Sequence, residues 1–186
     1  LGCELAAIDL QIGDSALPPA SVAGGSSGIT SWGSAIVAAA RRFRTDHGDP
    51  PAIGASTVAQ APENPDAEKF TVQSFGAHFV EAHVNRDTGE IRVPRMLGVF
   101  SVGRAINART LRSQLIGGMT MGLSMALHEE SVRDPRFGHV VTQDFAEYHI
   151  SAHADVADVD AIWLDDVEEH FNPMGSRGAG EIGIVG

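Results

Sequence analysis

Apolar positions along this chain recur with two periods. Leu111, Leu115, Met119, Leu123 and Leu127 repeat every four residues, with Ile116 and Ala126 beside them. That spacing predicts a long amphipathic helix over roughly 107–130. Ala35, Ile36, Ala39, Ala40 and Phe43 sit three and four apart and predict a helix from Ser31, capped by Ser31 or Thr30. Elsewhere the period is two. Phe75, Ala77 and Phe79 alternate with polar or small neighbours, and Val80, Ala82 and Val84 continue after a register change, so 70–84 is read as a strand. Asn85 to Gly89 supplies a hairpin turn, with Gly89 free to take positive φ, and Ile91, Val93 and Met96 to Val99 form the returning strand. Looser alternation predicts short strands at 4–12, ending at Gly13-Asp14, and at 140–150 and 159–168. The sum is an α+β fold, a mixed sheet with packed helices.

Residues 45–68 break both periods. Asp46, Gly48, Asp49, Pro50, Pro51, Gly54, Pro62, Asn64 and Pro65 leave little room for a regular element, so this stretch reads as a linker or long surface connection between segments 1–44 and 69–186. There is no internal repeat. The chain opens at Leu1 within an apolar-alternating run and stops at Gly186 after Ile184-Val185, which predicts a piece of a longer protein; the first residues carry no signal-peptide pattern.

Composition narrows the chemistry. A chain of 186 residues can bury a sizeable core without a covalent staple. Its net charge of −11 disfavours nucleic acid as a partner, because an acidic surface repels phosphate backbones. One cysteine, Cys3, excludes an internal disulfide and a Cys-based zinc or iron–sulfur site within the sequence. No apolar run reaches the ~18 residues that would span a membrane. His149 and His153 are four apart, but no third ligand is evident, so no metal ligands are assigned. Ser27, Ser31 and Ser34 lack a nucleophile-elbow setting. The acidic run from Asp155 to Glu169 reads as a solvated edge.

The 21 glycines are clustered, and three clusters suit ligand chemistry. Gly24-Gly25-Ser26-Ser27-Gly28 precedes a helix, offering free backbone N–H groups, hydroxyls and a positive helix end, although no Lys follows as in a P-loop. Gly103-Arg104-Ala105-Ile106-Asn107, leading to Ser113-Gln114, sets polar groups and a cation at a helix start, which suits an anion and equally suits a capped helix. In Arg177-Gly178-Ala179-Gly180-Glu181 a carboxylate stands between glycines and apolar Ile182, Ile184 and Val185. Glycines let backbone approach a ligand, and apolar surroundings push a carboxyl toward general-base behaviour, although a turn with an exposed Glu has the same local sequence. Inside the long helix, Gly117, Gly118 and Gly122 each cost about 1 kcal/mol relative to Ala, so either backbone or ligand approaches closely there or the helix starts later than 107.

Taken in order, these loops are more specific. Phe79 to Ile91, Gly103 to Asn107, Ser113 to Gly118, Met121 to Glu130 and Arg177 to Gly186 together resemble the C-terminal part of the molybdenum-binding subunit of the xanthine dehydrogenase/aldehyde oxidase family, in its bacterial three-subunit branch. The resemblance covers nearly the whole chain except 45–68. It implies a molybdenum-molybdopterin cofactor in its cytosine dinucleotide form, held by Gly25, Ser26, Ser27 and Gly28; by Gly103, Arg104, Ile106, Asn107, Thr110 and Gln114; and by Arg177, Gly178, Ala179 and Gly180. It implies that Glu181 is the general base beside molybdenum in an oxidation of an aldehyde or N-heterocycle with water as oxygen source. It also implies partner subunits carrying 2Fe-2S clusters and FAD, and a cytoplasmic compartment with periplasmic export as the alternative. The family commonly has Lys where Arg177 stands, which keeps the charge and changes hydrogen-bond geometry. Two other readings belong to different classes: a non-catalytic domain or truncated homologue serving assembly, and a generic nucleotide-binding α+β domain.

Overall fold

A computed structural model describes residues 2–186. Its regular elements are helix α1 (Gly28–His47), strands β1 (Phe75–Val84) and β2 (Ile91–Ser101), helix α2 (Ala108–Leu127) and strand β3 (Asp158–Trp163), with short 3-10 turns at Leu5–Ala7 and Gly24–Ser26. The sheet runs β1-β2-β3. β1 and β2 are antiparallel, while β2 and β3 are parallel and joined through α2.

The hairpin follows from local sequence. Asn85 caps its own turn, its side chain accepting from the N–H groups of Asp87 and Thr88, and Gly89 takes φ 74°. The register slips between Glu81 and His83, where the alternation of apolar positions had shifted. Along β2, Met96, Gly98 and Phe100 are buried on alternate positions, and Val102 follows just past its end. Met96, Phe100 and Val102 form the core with Leu115 and Met119 of α2, Ala161 of β3 and Ala179 of the third glycine loop. Phe100 is fully buried, and the absence of a side chain at Gly76 makes room for its ring: a Cβ there would meet Phe100 Cδ1 at 2.5 Å. Asn107 caps α2 by accepting from the Thr110 N–H at 3.1 Å.

The glycines of α2 mark a close helix–backbone contact. A Cβ on Gly118 would stand 3.1 Å from Gly183 Cα, and one on Gly122 would stand 2.6 Å from the Ile184 carbonyl oxygen. The C-terminal segment therefore lies directly on the helix. Gly117 faces open space.

Four expected elements differ, one of them the strand read at 159–168, which spans Asp158–Trp163. Residues 4–12 form a 3-10 turn and extended backbone, not a strand; Leu5, Leu10 and Ile12 are 83%, 70% and 82% exposed. Alternation makes a strand only where another edge is present to pair with it. Helix α1 begins at Gly28, three residues before Ser31, with Ser27 at its N-cap and no side-chain cap bond. Residues 140–150 are turns, because Asp144 accepts from the N–H groups of Ala146 and Glu147 and nucleates a local turn; one isolated bridge, Arg133 with Val140, remains. α1 runs on to His47 and ends at Gly48, φ 71°, so the irregular stretch is 48–74.

Candidate functional site

Three chain segments far apart in sequence meet at one end of the sheet. Gly25, φ 63°, presents its carbonyl to the N–H of Gly180 at 3.0 Å. A Cβ on Gly178 would lie 2.6 Å from that same oxygen, so the backbones of the first and third glycine loops are in contact. The Gln114 side-chain amide donates to the Gly180 carbonyl at 3.0 Å, and a buried leucine, Leu115, follows it on α2. The third loop is also laced to the end of β2: the N–H of Arg104 donates to Gly175 O at 2.7 Å, and the N–H of Arg177 to Val102 O at 2.8 Å. Gly103, φ 70°, bridges to Ser176 and has no room for a side chain, since a Cβ would meet the Gly175 oxygen at 2.6 Å.

These contacts enclose a cavity of about 340 Å³ lined by Ser26, Ile29, Val102, Arg104, Ala105, Ile106, Asn107, Thr110, Leu111, Gln114, Ser176, Arg177 and Ala179. Its lining mixes apolar side chains (Ile29, Val102, Ile106, Leu111) with polar and charged ones. Ser26 holds a left-handed backbone, φ 56°, which is unusual for a residue with a side chain and marks the loop as strained at the site. Arg104 is exposed and makes no ion pair or side-chain hydrogen bond with the described residues. Ser176 is 3% exposed, and its Oγ is buried without a hydrogen-bond partner. A buried hydroxyl left unpaired costs free energy, so the wall carries a polar atom that lacks its complement. Asn107 and Thr110 are partly committed to capping α2.

The residues named from sequence divide accordingly. Ser26, Arg104, Ile106, Asn107, Thr110, Gln114, Arg177 and Ala179 line the cavity. Gly25, Gly103, Gly178 and Gly180 do not line it; they bring the three loops into contact. Ser27 and Gly28 begin α1, with the Ser27 hydroxyl on the Gly24 carbonyl. Glu181 follows Gly180 but is exposed, and its carboxylate makes no hydrogen bond or ion pair with the described residues. The expected apolar enclosure is thus incomplete around it: Ile182 packs on the core while Val185 is 78% exposed.

Arg177 behaves differently from a free anion ligand. Its guanidinium contacts Asp166 and the Ser101 hydroxyl, and reaches Glu168 at 3.4 Å. Arg177 is 14% and Glu168 9% exposed at the side chain. The acidic run read as a solvated edge is therefore solvated only in part: Asp158 and Asp160 face Arg95 and Arg112, whereas Asp166 and Glu168 turn inward to Arg177. Sequence reasoning missed Asp166, Glu168, Ser101 and the orphaned Ser176. The signal available was one Arg amid glycines downstream of unpaired acids.

A family model described as a molybdopterin cofactor-binding domain matches residues 47–157. The whole chain aligns at 35% identity with the aldehyde oxidoreductase molybdenum-binding subunit PaoC of Escherichia coli K12, of which it spans 29%. A 60% share aligns at 33% identity with the gamma subunit of the 6-hydroxypseudooxynicotine dehydrogenase complex of Paenarthrobacter nicotinovorans, 14% of that protein. Among solved structures, quinoline 2-oxidoreductase from Pseudomonas putida 86 superposes with a TM-score of 0.62 at 27% identity, over 75% of this chain and 17% of that one. CO dehydrogenase from Oligotropha carboxidovorans gives 0.61 at 22% identity over 77% of this chain and 17% of that one, a likeness of fold.

Proposed function

We propose, from the premise that this chain belongs to the molybdopterin cofactor-binding domain family of molybdenum hydroxylases, that it forms the part of a molybdenum-binding subunit that grips the cofactor and presents a carboxylate to the substrate. The reaction we assign to the whole enzyme is oxidation of an aldehyde or N-heterocycle with water as the oxygen source. The cofactor is proposed in its cytosine dinucleotide form, with 2Fe-2S and FAD subunits as redox partners. The observation that carries this reading is the convergence of the three glycine loops on one cavity that holds an unpaired Arg104 and an unsatisfied Ser176 hydroxyl.

The residues present suit a pterin dinucleotide. A phosphate-bearing ligand needs a cation and N–H or O–H donors, which Arg104, Ser26 and Ser176 supply. A flat polar ring needs a side-chain amide beside an apolar wall, which Gln114, Val102 and Leu111 supply. When bound, the cofactor supplies a two-electron redox centre that neither carboxylates nor amides can provide. The chain's own work is to bind, orient and move a proton. Gln114 ties α2 to the Gly180 carbonyl, so the helix and the third loop hold one geometry. Glu181, one residue on, carries an unpaired carboxylate and is assigned the role of general base. The missing enclosure around it falls to the remaining length of the subunit, since the chain spans 29% of its aldehyde oxidoreductase relative.

The test is Glu181→Gln in the full-length enzyme. The amide keeps size and hydrogen bonding but cannot accept the proton. Turnover is expected to fall by at least about 10²–10⁴-fold, the ordinary contribution of a general base, with molybdenum and pterin content unchanged. Undiminished turnover would remove Glu181 from the mechanism, and a full-length enzyme free of molybdenum would remove the reading itself.

A further inference from the structure

At the end of α2 away from the cavity, two imidazoles and a carboxylate converge. One ligand atom each from His128, His149 and Asp155 lies within 4.8 Å of the others, the one such group among the described residues. His153, four residues after His149, is not part of this group. The fold instead sets His149 against His128, with ring centroids 4.9 Å apart and planes tilted by 55°.

The three side chains are held by different means. His128 is the C-cap of α2, its N–H donating to the Ser124 carbonyl at 2.9 Å. Its Nδ1 lies 2.6 Å from the Ser151 hydroxyl, and the Ser151 N–H in turn donates to the hydroxyl of buried Ser124 at 3.0 Å. The ring is thus oriented by a polar chain anchored in the helix, the arrangement that outer partners give to a metal-ligating histidine. Asp155 is fixed by the Ala152 N–H, which donates to its Oδ2 at 2.8 Å. Glu129 is engaged elsewhere, accepting from the Tyr148 hydroxyl at 2.8 Å, which ties the same loop to the helix end. The site sits at the negative end of the α2 dipole, which favours a cation. It lies about 21 Å along the helix axis from Gln114, so it is separate from the cavity.

We propose that His128, His149 and Asp155 form a zinc site that staples the 128–157 loop to the C-terminal end of α2. Two imidazole nitrogens and one carboxylate oxygen suit zinc rather than magnesium or calcium, which prefer all-oxygen shells. The fourth position is left to water. The benefit is conformational: residues 128–157 contain no helix or strand, and a metal bound only by the ordered loop adds its binding free energy to that order. This inference goes beyond the proposed function and stands without it.

The test uses the full-length protein, stripped with a chelator, dialysed and then given zinc alone. Bound zinc is measured by elemental mass spectrometry and loop order by amide hydrogen exchange. One zinc equivalent retained through dialysis, with slowed exchange confined to 128–157, is the expected result. His149→Gln, at an exposed position that spares the fold, and Asp155→Asn are each expected to lose both signals. Ser151→Ala is expected to weaken zinc binding about tenfold by freeing the His128 ring. Failure of the native protein to retain zinc, or equal retention and equal exchange in both ligand variants, overturns the site.

Discussion

The N–H of Gly180 donates to the carbonyl oxygen of Gly25 at 3.0 Å, joining the first and third glycine loops directly. A Cβ on Gly178 would come within 2.6 Å of that oxygen. Because the obstructing atom is backbone, it cannot swing aside as a flexible side chain would. Gly178→Ala is therefore expected to part the two loops and to lower the molybdenum and pterin content of the full-length enzyme. The check is cofactor analysis alongside Gly24→Ala, whose Cβ meets nothing within 4 Å. Equal loading of the two variants would show that the loop contact is irrelevant to cofactor retention.

The glycines of α2 make a second comparison. Gly122→Ala drives a methyl group toward the Ile184 carbonyl, 2.6 Å away, whereas Gly117→Ala fills empty space. Helix propensity alone favours both substitutions by about 1 kcal/mol. The expected outcome is opposite signs: Gly117→Ala raises the unfolding midpoint, and Gly122→Ala lowers it, because an overpacking cost of up to about 3 kcal/mol outweighs the propensity gain. Denaturant titration of the two variants decides it.

Much of this was legible in the chain itself. The four-residue leucine repeat gave α2 within a few residues, and its unfavourable glycines announced a close backbone approach at Gly118 and Gly122. The broken alternation near Val80 anticipated the bulge between Glu81 and His83. What failed had a common cause. Residues 4–12 and 140–150 alternate, but pairing is a property of neighbours, and Asp144 offered its backbone a local turn instead. The convergence of Ser26, Gln114 and Gly180 was expected only from the ordered set of motifs, because no periodicity encodes a contact between distant loops. The inward turn of Asp166 and Glu168 left no sequence pattern, since a charge run reads the same whether solvated or paired.

Arg112 and Asp160 link α2 to β3 across 2.6 Å. The hydrogen bond from Arg112, with help from the Ala161 N–H, holds the Asp160 carboxyl below its ordinary value near 3.8. A carboxylate whose folded pKa is depressed stabilises the fold above its unfolded pKa, and that contribution is lost as pH falls through the folded value. Arg112→Gln is thus expected to lower stability slightly near neutral pH, with the difference from wild type shrinking once the pH drops below about 3.8. Both side chains are about half exposed, so salt also reduces the difference. Denaturation midpoints across pH test this, and a gap that widens in acid contradicts it.

Arg177 offers the sharpest choice between two roles for one side chain. As a cofactor ligand it would keep its charge for a phosphate. Its guanidinium is instead engaged by Asp166, Glu168 and the Ser101 hydroxyl, well inside the protein. The acids belong to the segment after β3, and the N–H of Glu168 donates to Gly175 O at 2.9 Å, so the ion cluster and the third loop share one backbone. These contacts suit a role by position, fixing the loop that presents Ser176, Ala179 and Gly180. Removing Arg177 strands the buried Glu168 carboxylate and the partly exposed Asp166, a loss of up to about 3–5 kcal/mol, the figure for a fully buried pair. Arg177→Met is expected to destabilise even the cofactor-free protein by that order. Adding Asp166→Asn and Glu168→Gln to the same chain is expected to restore most of the loss, because no charge is then left uncompensated. A ligand role makes the opposite forecast: Arg177→Met would leave the cofactor-free protein as stable as wild type and lower only cofactor content, and neutralising the acids would rescue nothing. Unfolding of cofactor-free wild type, single and triple variants separates the two.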